Sequence, residues 1–167
     1  LASQGHKCVY ACEIEDQLRK FYKKNFNILP ESDITKIDIN KIPKHDILCA
    51  GFPCQPFSHA GKRMGKEDER HLWPEMLRAI REIRPKYVVG ENVRGILSWS
   101  DGLVLEEVYA DLEGEGYEIQ TIVLPAVGIN APHRRDRVWI IAKDTSSDGC
   151  LLGGTIEEAA GIRELWN

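Results

Sequence analysis

The stretch Asp46-Ile47-Leu48-Cys49-Ala50-Gly51-Phe52-Pro53-Cys54-Gln55-Pro56-Phe57-Ser58 joins an apolar run of strand length to a cysteine-bearing turn. Pro53 and Pro56 flank Cys54 and hold the local backbone out of helix and sheet. The carboxyl end of a strand is where an open α/β sheet presents its ligand- and substrate-facing groups. A thiol on a rigid turn there suits nucleophilic attack. A lone loop cysteine also fits an unreactive structural thiol, so the neighbouring segments have to decide.

On the amino-terminal side, Cys8-Val9-Tyr10-Ala11-Cys12-Glu13 reads as a strand, and Ile14, Leu18, Phe21 and Tyr22 then recur at helical spacing. On the carboxyl side, Trp73, Met76, Leu77, Ile80 and Ile83 mark one face of a second helix that stops at Arg84, before Pro85. The β-branched run Lys86-Tyr87-Val88-Val89-Gly90-Glu91-Asn92-Val93 delivers a carboxylate and an amide at its end. A third helix is expected from Leu103 to Leu112, closed by Gly114 and Gly116. A closing strand pair is expected at residues 118–124 and 138–142, with His133-Arg134-Arg135-Asp136-Arg137 just before the second strand. This alternation implies an α/β fold with βαβ units and a mainly parallel sheet. Trp99 and Trp139 lie beside apolar segments and are expected in the core. From Asp144 onward the composition changes, and Thr145-Ser146-Ser147-Asp148-Gly149 reads as a turn or linker.

With 167 residues, 43% of them hydrophobic, the chain can build one core and hardly two. Its apolar runs are too short to span a membrane, and no charged-then-apolar signal segment opens it, so a cytoplasmic location is expected. Five cysteines without a Cys-x-x-Cys pair point to a reducing compartment and to no metal site. A net charge of −4 excludes a surface that is basic throughout, so any phosphate contacts must be local. Two basic clusters meet that need: Lys62, Arg63, Lys66 and Arg70 after the cysteine turn, and Arg134, Arg135 and Arg137. The first of these, offset by Glu67, Asp68 and Glu69, also fits an ordinary solvated loop.

Phe-Pro-Cys-Gln at residues 52–55, Glu-Asn-Val at 91–93 and Arg-x-Arg at 135–137, in this order and spacing, closely resemble the cytosine-C5 DNA methyltransferases of bacterial and phage type. The resemblance runs from about Cys8 to Lys143. It implies a doubly wound, mostly parallel sheet of the S-adenosylmethionine-dependent methyltransferase (Rossmann-like) type. It also implies that this chain lacks the family's first strand, its glycine-rich turn and its target-recognition domain. Residues 1–143 would then be a partial catalytic domain, and residues 144–167 a linker and the start of the target-recognition region. In that form the chain is expected to hold cofactor weakly and not to methylate DNA alone.

By the same resemblance Cys54 is the nucleophile that adds to C6 of cytosine, and Glu91 holds the ring's N3 and amino edge. Asn92 orients that turn, Arg137 contacts the base O2, and Arg135 lies nearer the thiol and phosphate. Glu13 would accept the ribose hydroxyls of S-adenosylmethionine and Ile14 would cover the adenine, with Asp33 and Ile34 reading its edge and Gly51, Pro53 and Leu72 completing the pocket. Read by itself, Asp33 in Ser32-Asp33-Ile34-Thr35 fits a turn or helix cap better, and its position between the first helix and the cysteine strand is what favours the cofactor. Gln55, Ser58, Lys62, Arg63 and Arg70 would contact DNA from a segment, residues 55–70, that closes over it, with Gly61 and Gly65 as pivots. The implied partner is double-stranded DNA with a flipped-out cytosine. A monomer with a possible cognate restriction endonuclease is expected. Two other readings stay open: an RNA (tRNA) cytosine-C5 methyltransferase with the same catalytic set, and a non-catalytic methyltransferase-like module.

Overall fold

A computed structural model describes residues 5–53 and 72–147. Among these residues, three α-helices and four strands follow in chain order: α1 (Asp16–Phe26), β1 (Ile47–Gly51), α2 (Trp73–Ile83), β2 (Tyr87–Val93), α3 (Leu103–Gly114), β3 (Tyr117–Pro125) and β4 (Asp136–Asp144). The strands form one sheet in the order β1-β2-β4-β3. β1 and β2 are parallel, with Gly51 opposite Glu91, while β4 runs antiparallel to both β2 and β3. The α/β class and the expected helices and strand pair hold. Among the described residues, however, the sheet is mixed, with one parallel pairing and two antiparallel ones.

Helix α2 packs its apolar face into the core that covers the sheet. Pro74 suits its first turn, where a missing amide hydrogen costs nothing. The helix ends because Pro85 disfavours a further right-handed residue, and Arg84 turns to φ 54°. Its apolar stripe, Trp73, Met76, Leu77, Ile80 and Ile83, is buried. All but Ile83 of this stripe meet Val88 of β2 and Val138, Ile140 and Ala142 of β4, together with Val108 and Leu112 of α3. Each large apolar side chain buried this way contributes about 1.5–3 kcal/mol. Trp73 also donates from Nε1 to Asp111 Oδ2 at 2.7 Å, which locks α2 to α3. Gly116, at φ 82°, lets the chain reverse from α3 into β3.

A smaller cluster hangs on the same helix. Ile39 and Ile42 pack on Ala79 and Ile83 of α2, with Tyr10, Ile37 and Leu48 alongside. Here the expected strand at residues 8–13 fails to appear. Cys12 makes a single parallel bridge to Glu31, closed by Glu13 N–H to Glu31 O and Glu31 N–H to Ala11 O, each 2.9 Å. A strand needs a ladder of partners, and among the described residues Glu31 is the only one beside this segment. Helix α1 likewise buries none of its residues, and Leu18 and Phe21 are exposed.

Candidate active site

The parallel pair β1 and β2 ends at Gly51 and Glu91. Glu91 Oε1 accepts from Arg137 Nε at 2.7 Å. Both side chains are part-buried, 35% and 24% exposed, so the pair is shielded without being sealed from a ligand. Gly51 makes room for it: a Cβ on residue 51 would sit 3.3 Å from Glu91 Oε2. On the opposite side of β2, buried Asn92 donates from Nδ2 to the Phe52 carbonyl at 3.0 Å and accepts from the Val93 amide at 2.8 Å. The amide therefore fixes the backbone that leads out of β1 into Pro53. Phe52 itself is buried against Trp73, ring centroids 5.2 Å apart.

A cavity of about 470 Å³ opens beside this carboxylate, lined by Cys49, Ala50, Gly51, Val89, Glu91 and Trp139. Cys49 is no activated thiol, because partial burial raises its pKa. Trp139 stands on the cavity and not in the main core, a correction to the sequence reading. It stands opposite Glu91 in the antiparallel register, which puts both on one face of the sheet.

Asp136 and Arg137 are the first residues of β4, not a loop ahead of it. Arg135, exposed and at φ 39°, forms the corner before them. Asp136 clasps two cations at this corner, Arg94 at 2.9 Å and Arg134 at 3.0 Å. Burial pushes the Asp136 carboxyl up, but the bonds from Arg134 and Arg94 outweigh it and hold it below its ordinary value.

A second group of side chains gathers around the Cys12–Glu31 bridge. Glu13 accepts the Glu15 amide at 2.9 Å through Oε1, ahead of α1. Ile14 beside it is 72% exposed. Asp33 caps the 3-10 turn Ile34–Lys36, accepting from the Thr35 amide at 3.0 Å and its hydroxyl at 2.7 Å, and pairs with Lys36 at 2.7 Å. The bond from Lys36, then those from Thr35, lower its pKa to about 2, so it is a carboxylate at any physiological pH. Leu72 stands at the start of α2, part-buried.

Residues 1–153 match the family described as C-5 cytosine-specific DNA methylase. The chain belongs to that family. It is 41% identical over 140 residues to the type II methyltransferase M.MspI of Moraxella sp, covering 83% of this chain and 34% of that protein. It is 42% identical over 142 residues to M.HhaI of Haemophilus parahaemolyticus, covering 84% of this chain and 43% of that protein. The chain thus spans between a third and a half of the length of these two relatives. Among solved structures, the S. pombe Dnmt2 methyltransferase superposes with a TM-score of 0.69 at 22% identity, over 95% of this chain and 48% of that one. The Entamoeba histolytica methyltransferase EhMeth gives 0.62 at 25% identity, over 84% of this chain and 46% of that one. These likenesses show the fold: a cytosine-methylase sheet of the S-adenosylmethionine-dependent methyltransferase type.

Of the residues expected to act in this methylase domain, the fold brings Glu91, Asn92, Arg137 and Gly51 to one end of the parallel strands, with Pro53 following Phe52. Arg135 stands one corner away. Glu13, Ile14, Asp33 and Ile34 form the separate group at the bridge. Cys54, Gln55, Ser58, Lys62, Arg63 and Arg70 lie outside the described residues. Sequence reasoning missed Asp136 and Arg94 as partners, 42 positions apart. The acidic residue inside an otherwise basic Arg134-Arg135-Asp136-Arg137 run was the available signal.

Proposed function

We propose that the protein carrying this chain methylates C5 of cytosine in DNA, with Glu91 and Arg137 as the base-holding pair. The observation that carries this reading is the 2.7 Å contact between them beside Gly51, with Asn92 gripping the backbone at Phe52, two positions before Cys54 in the sequence. S-adenosylmethionine supplies an electrophilic sulfonium methyl group when bound. The donor set suits its adenosine end: the carboxylates Glu13 and Asp33 for hydroxyl and amino hydrogens, and exposed Ile14 for the purine face. Gly51, Pro53 and Leu72 complete that side in this reading.

Cytosine C5 is too weak a nucleophile to attack a sulfonium methyl unaided. Addition of the Cys54 thiolate forms a bond to C6 and moves the ring's π-electron pair toward C5, which makes C5 nucleophilic. Glu91 holds N3 and the exocyclic amino group and stabilises the proton taken up at N3 as the adduct forms. Arg137 anchors Glu91 and faces the base O2. C5 takes the methyl group, and the electron pair of the broken bond stays on the departing thioether sulfur. Loss of the C5 proton to a base then returns the ring's pair and breaks the bond to Cys54, and release of the N3 proton restores neutral, aromatic 5-methylcytosine. A stacked base cannot reach such a site, so the cytosine leaves the duplex, at a cost of about a few kcal/mol. Gln55, Ser58, Lys62, Arg63 and Arg70 would then meet the surrounding DNA.

The test uses duplex DNA carrying 5-fluorocytosine. Fluorine at C5 leaves no proton to lose, so the adduct persists. The protein as encoded by its gene, given S-adenosylmethionine, should form a stable covalent adduct that maps to Cys54 and is absent from Cys54→Ser. An adduct on another residue would overturn the assignment, as would full turnover by the serine variant.

A further inference from the structure

Arg78 stands on α2, 44 positions from Ile34, and joins the Asp33-Ile34 turn to that helix. Its Nη2 donates to the Ile34 carbonyl at 2.8 Å, and Nη1 reaches the Ile37 carbonyl at 3.4 Å. Nε and Nη2 both contact Glu75 Oε2, at 2.9 and 2.6 Å, so the carboxylate one turn back aims the fork. The side chain is one-third exposed and its partner less. We propose that Arg78 is a positioning residue for the adenosine side of the cofactor site, through its hold on the Asp33-Ile34 turn. This rests on the reading that Asp33 and Ile34 meet S-adenosylmethionine.

The physical case starts from how the turn is held. Residues 33–42 contain two short 3-10 turns, each capped by its own aspartate, Asp33 or Asp38. Those caps shape the turns locally but do not attach them to the domain. Ile37, Ile39 and Ile42 attach the later part by packing on α2 and its neighbours. At the earlier part, the described hydrogen bond joining Ile34 to α2 comes from Arg78. Helix α2 is itself fixed in the core of the sheet by Trp73, Met76, Leu77 and Ile80, and that sheet carries Glu91. Arg78 therefore refers the position of Asp33, one residue from the gripped carbonyl, to the frame that holds the base-binding pair. A planar guanidinium can serve two carbonyls and a carboxylate at once, which a lysine ammonium on its flexible stem cannot do with the same geometry.

The consequence is a split between binding and chemistry. In the encoded protein, Arg78→Met should raise the KM for S-adenosylmethionine by about tenfold, equivalent to about 1.4 kcal/mol. Turnover at saturating cofactor should stay within about twofold, because nothing at Glu91 moves. Arg78→Lys should recover part of the loss, and it keeps the test valid if the methionine variant folds poorly. Hydrogen exchange without cofactor gives a second readout: the Thr35 and Lys36 amides should exchange faster in Arg78→Met, while β2 amides keep the wild-type rate. An unchanged KM would overturn the proposal. So would a parallel loss of KM, kcat and β2 protection, which would make Arg78 an ordinary structural residue. A wild-type protein that binds no S-adenosylmethionine would sink the function reading and the cofactor half of this one with it. Unaltered exchange at Thr35 and Lys36 in Arg78→Met, alongside a wild type that does bind S-adenosylmethionine, would overturn the role of Arg78 alone.

Discussion

Arg137 reaches Glu91 diagonally across the β2–β4 ladder: its own register partner is Val93, that of Glu91 is Trp139, and the two charged groups meet at 2.7 Å on one sheet face. The arginine thus fixes the carboxylate from a rigid strand and not from a loop. Glu91→Gln keeps the shape but cannot carry the proton or charge that ring attack requires. It should lower the methylation rate by about 10²–10⁴ while changing DNA affinity far less. Single-turnover rates and binding isotherms on one duplex check this. Equal losses in both would make Glu91 a structural residue.

Gly51 carries a steric prediction about the same carboxylate. A Cβ there would lie 3.3 Å from Glu91 Oε2, closer than most real Cβ contacts, so the carboxylate must give way by a few tenths of an ångström. Arg137 resists that shift from the other oxygen. Gly51→Ala should leave the melting temperature nearly unchanged and lower kcat by up to about tenfold, since small misplacements of a catalytic group are costly. Wild-type kcat in the alanine variant would show that the carboxylate has slack at this point.

The contrast between these residues and the others marks what the chain makes legible. Strand and helix positions followed from local period and punctuation: Pro85 ends α2, Gly116 ends α3, and β-branched runs became β2 and β3. The Glu91 and Arg137 positions were readable because each sits at a strand end flanked by such signals. Three things were not readable. Residues 8–13 have a strand's composition, but strand formation depends on a neighbour, which composition does not report. Trp139 sits in an unbroken apolar run whose period does not show which face meets the core; Val138, Ile140 and Ala142 take that face, and Trp139 points to the other, beside Glu91. Arg78 and Asp136 act through partners about forty positions away, where no periodicity links the two ends.

Tyr117 offers a test of the fold apart from the site. Its hydroxyl donates to the Pro85 carbonyl at 2.7 Å, both residues are buried, and the Arg84 guanidinium sits 5.4 Å from its ring centre. The bond joins the start of β3 to the turn between α2 and β2, so it fastens two halves of the core. Tyr117→Phe leaves that carbonyl unpaired in the interior and should cost about 1–3 kcal/mol of stability. Burial pushes the phenol up to about 12, with Arg84 pulling the other way and Asp144 and Glu115 adding to the rise. Above the ordinary value of 10.0 the unfolded chain gives up this proton while the folded chain keeps it. The bond's contribution is therefore complete below pH 10 and falls away as pH climbs toward about 12. Urea melts of wild type and Tyr117→Phe at pH 8 and at rising alkaline pH check both claims. The gap between the two proteins should be widest at pH 8 and narrow steadily above pH 10, and a gap independent of pH would show that the phenol is not shielded as the fold requires.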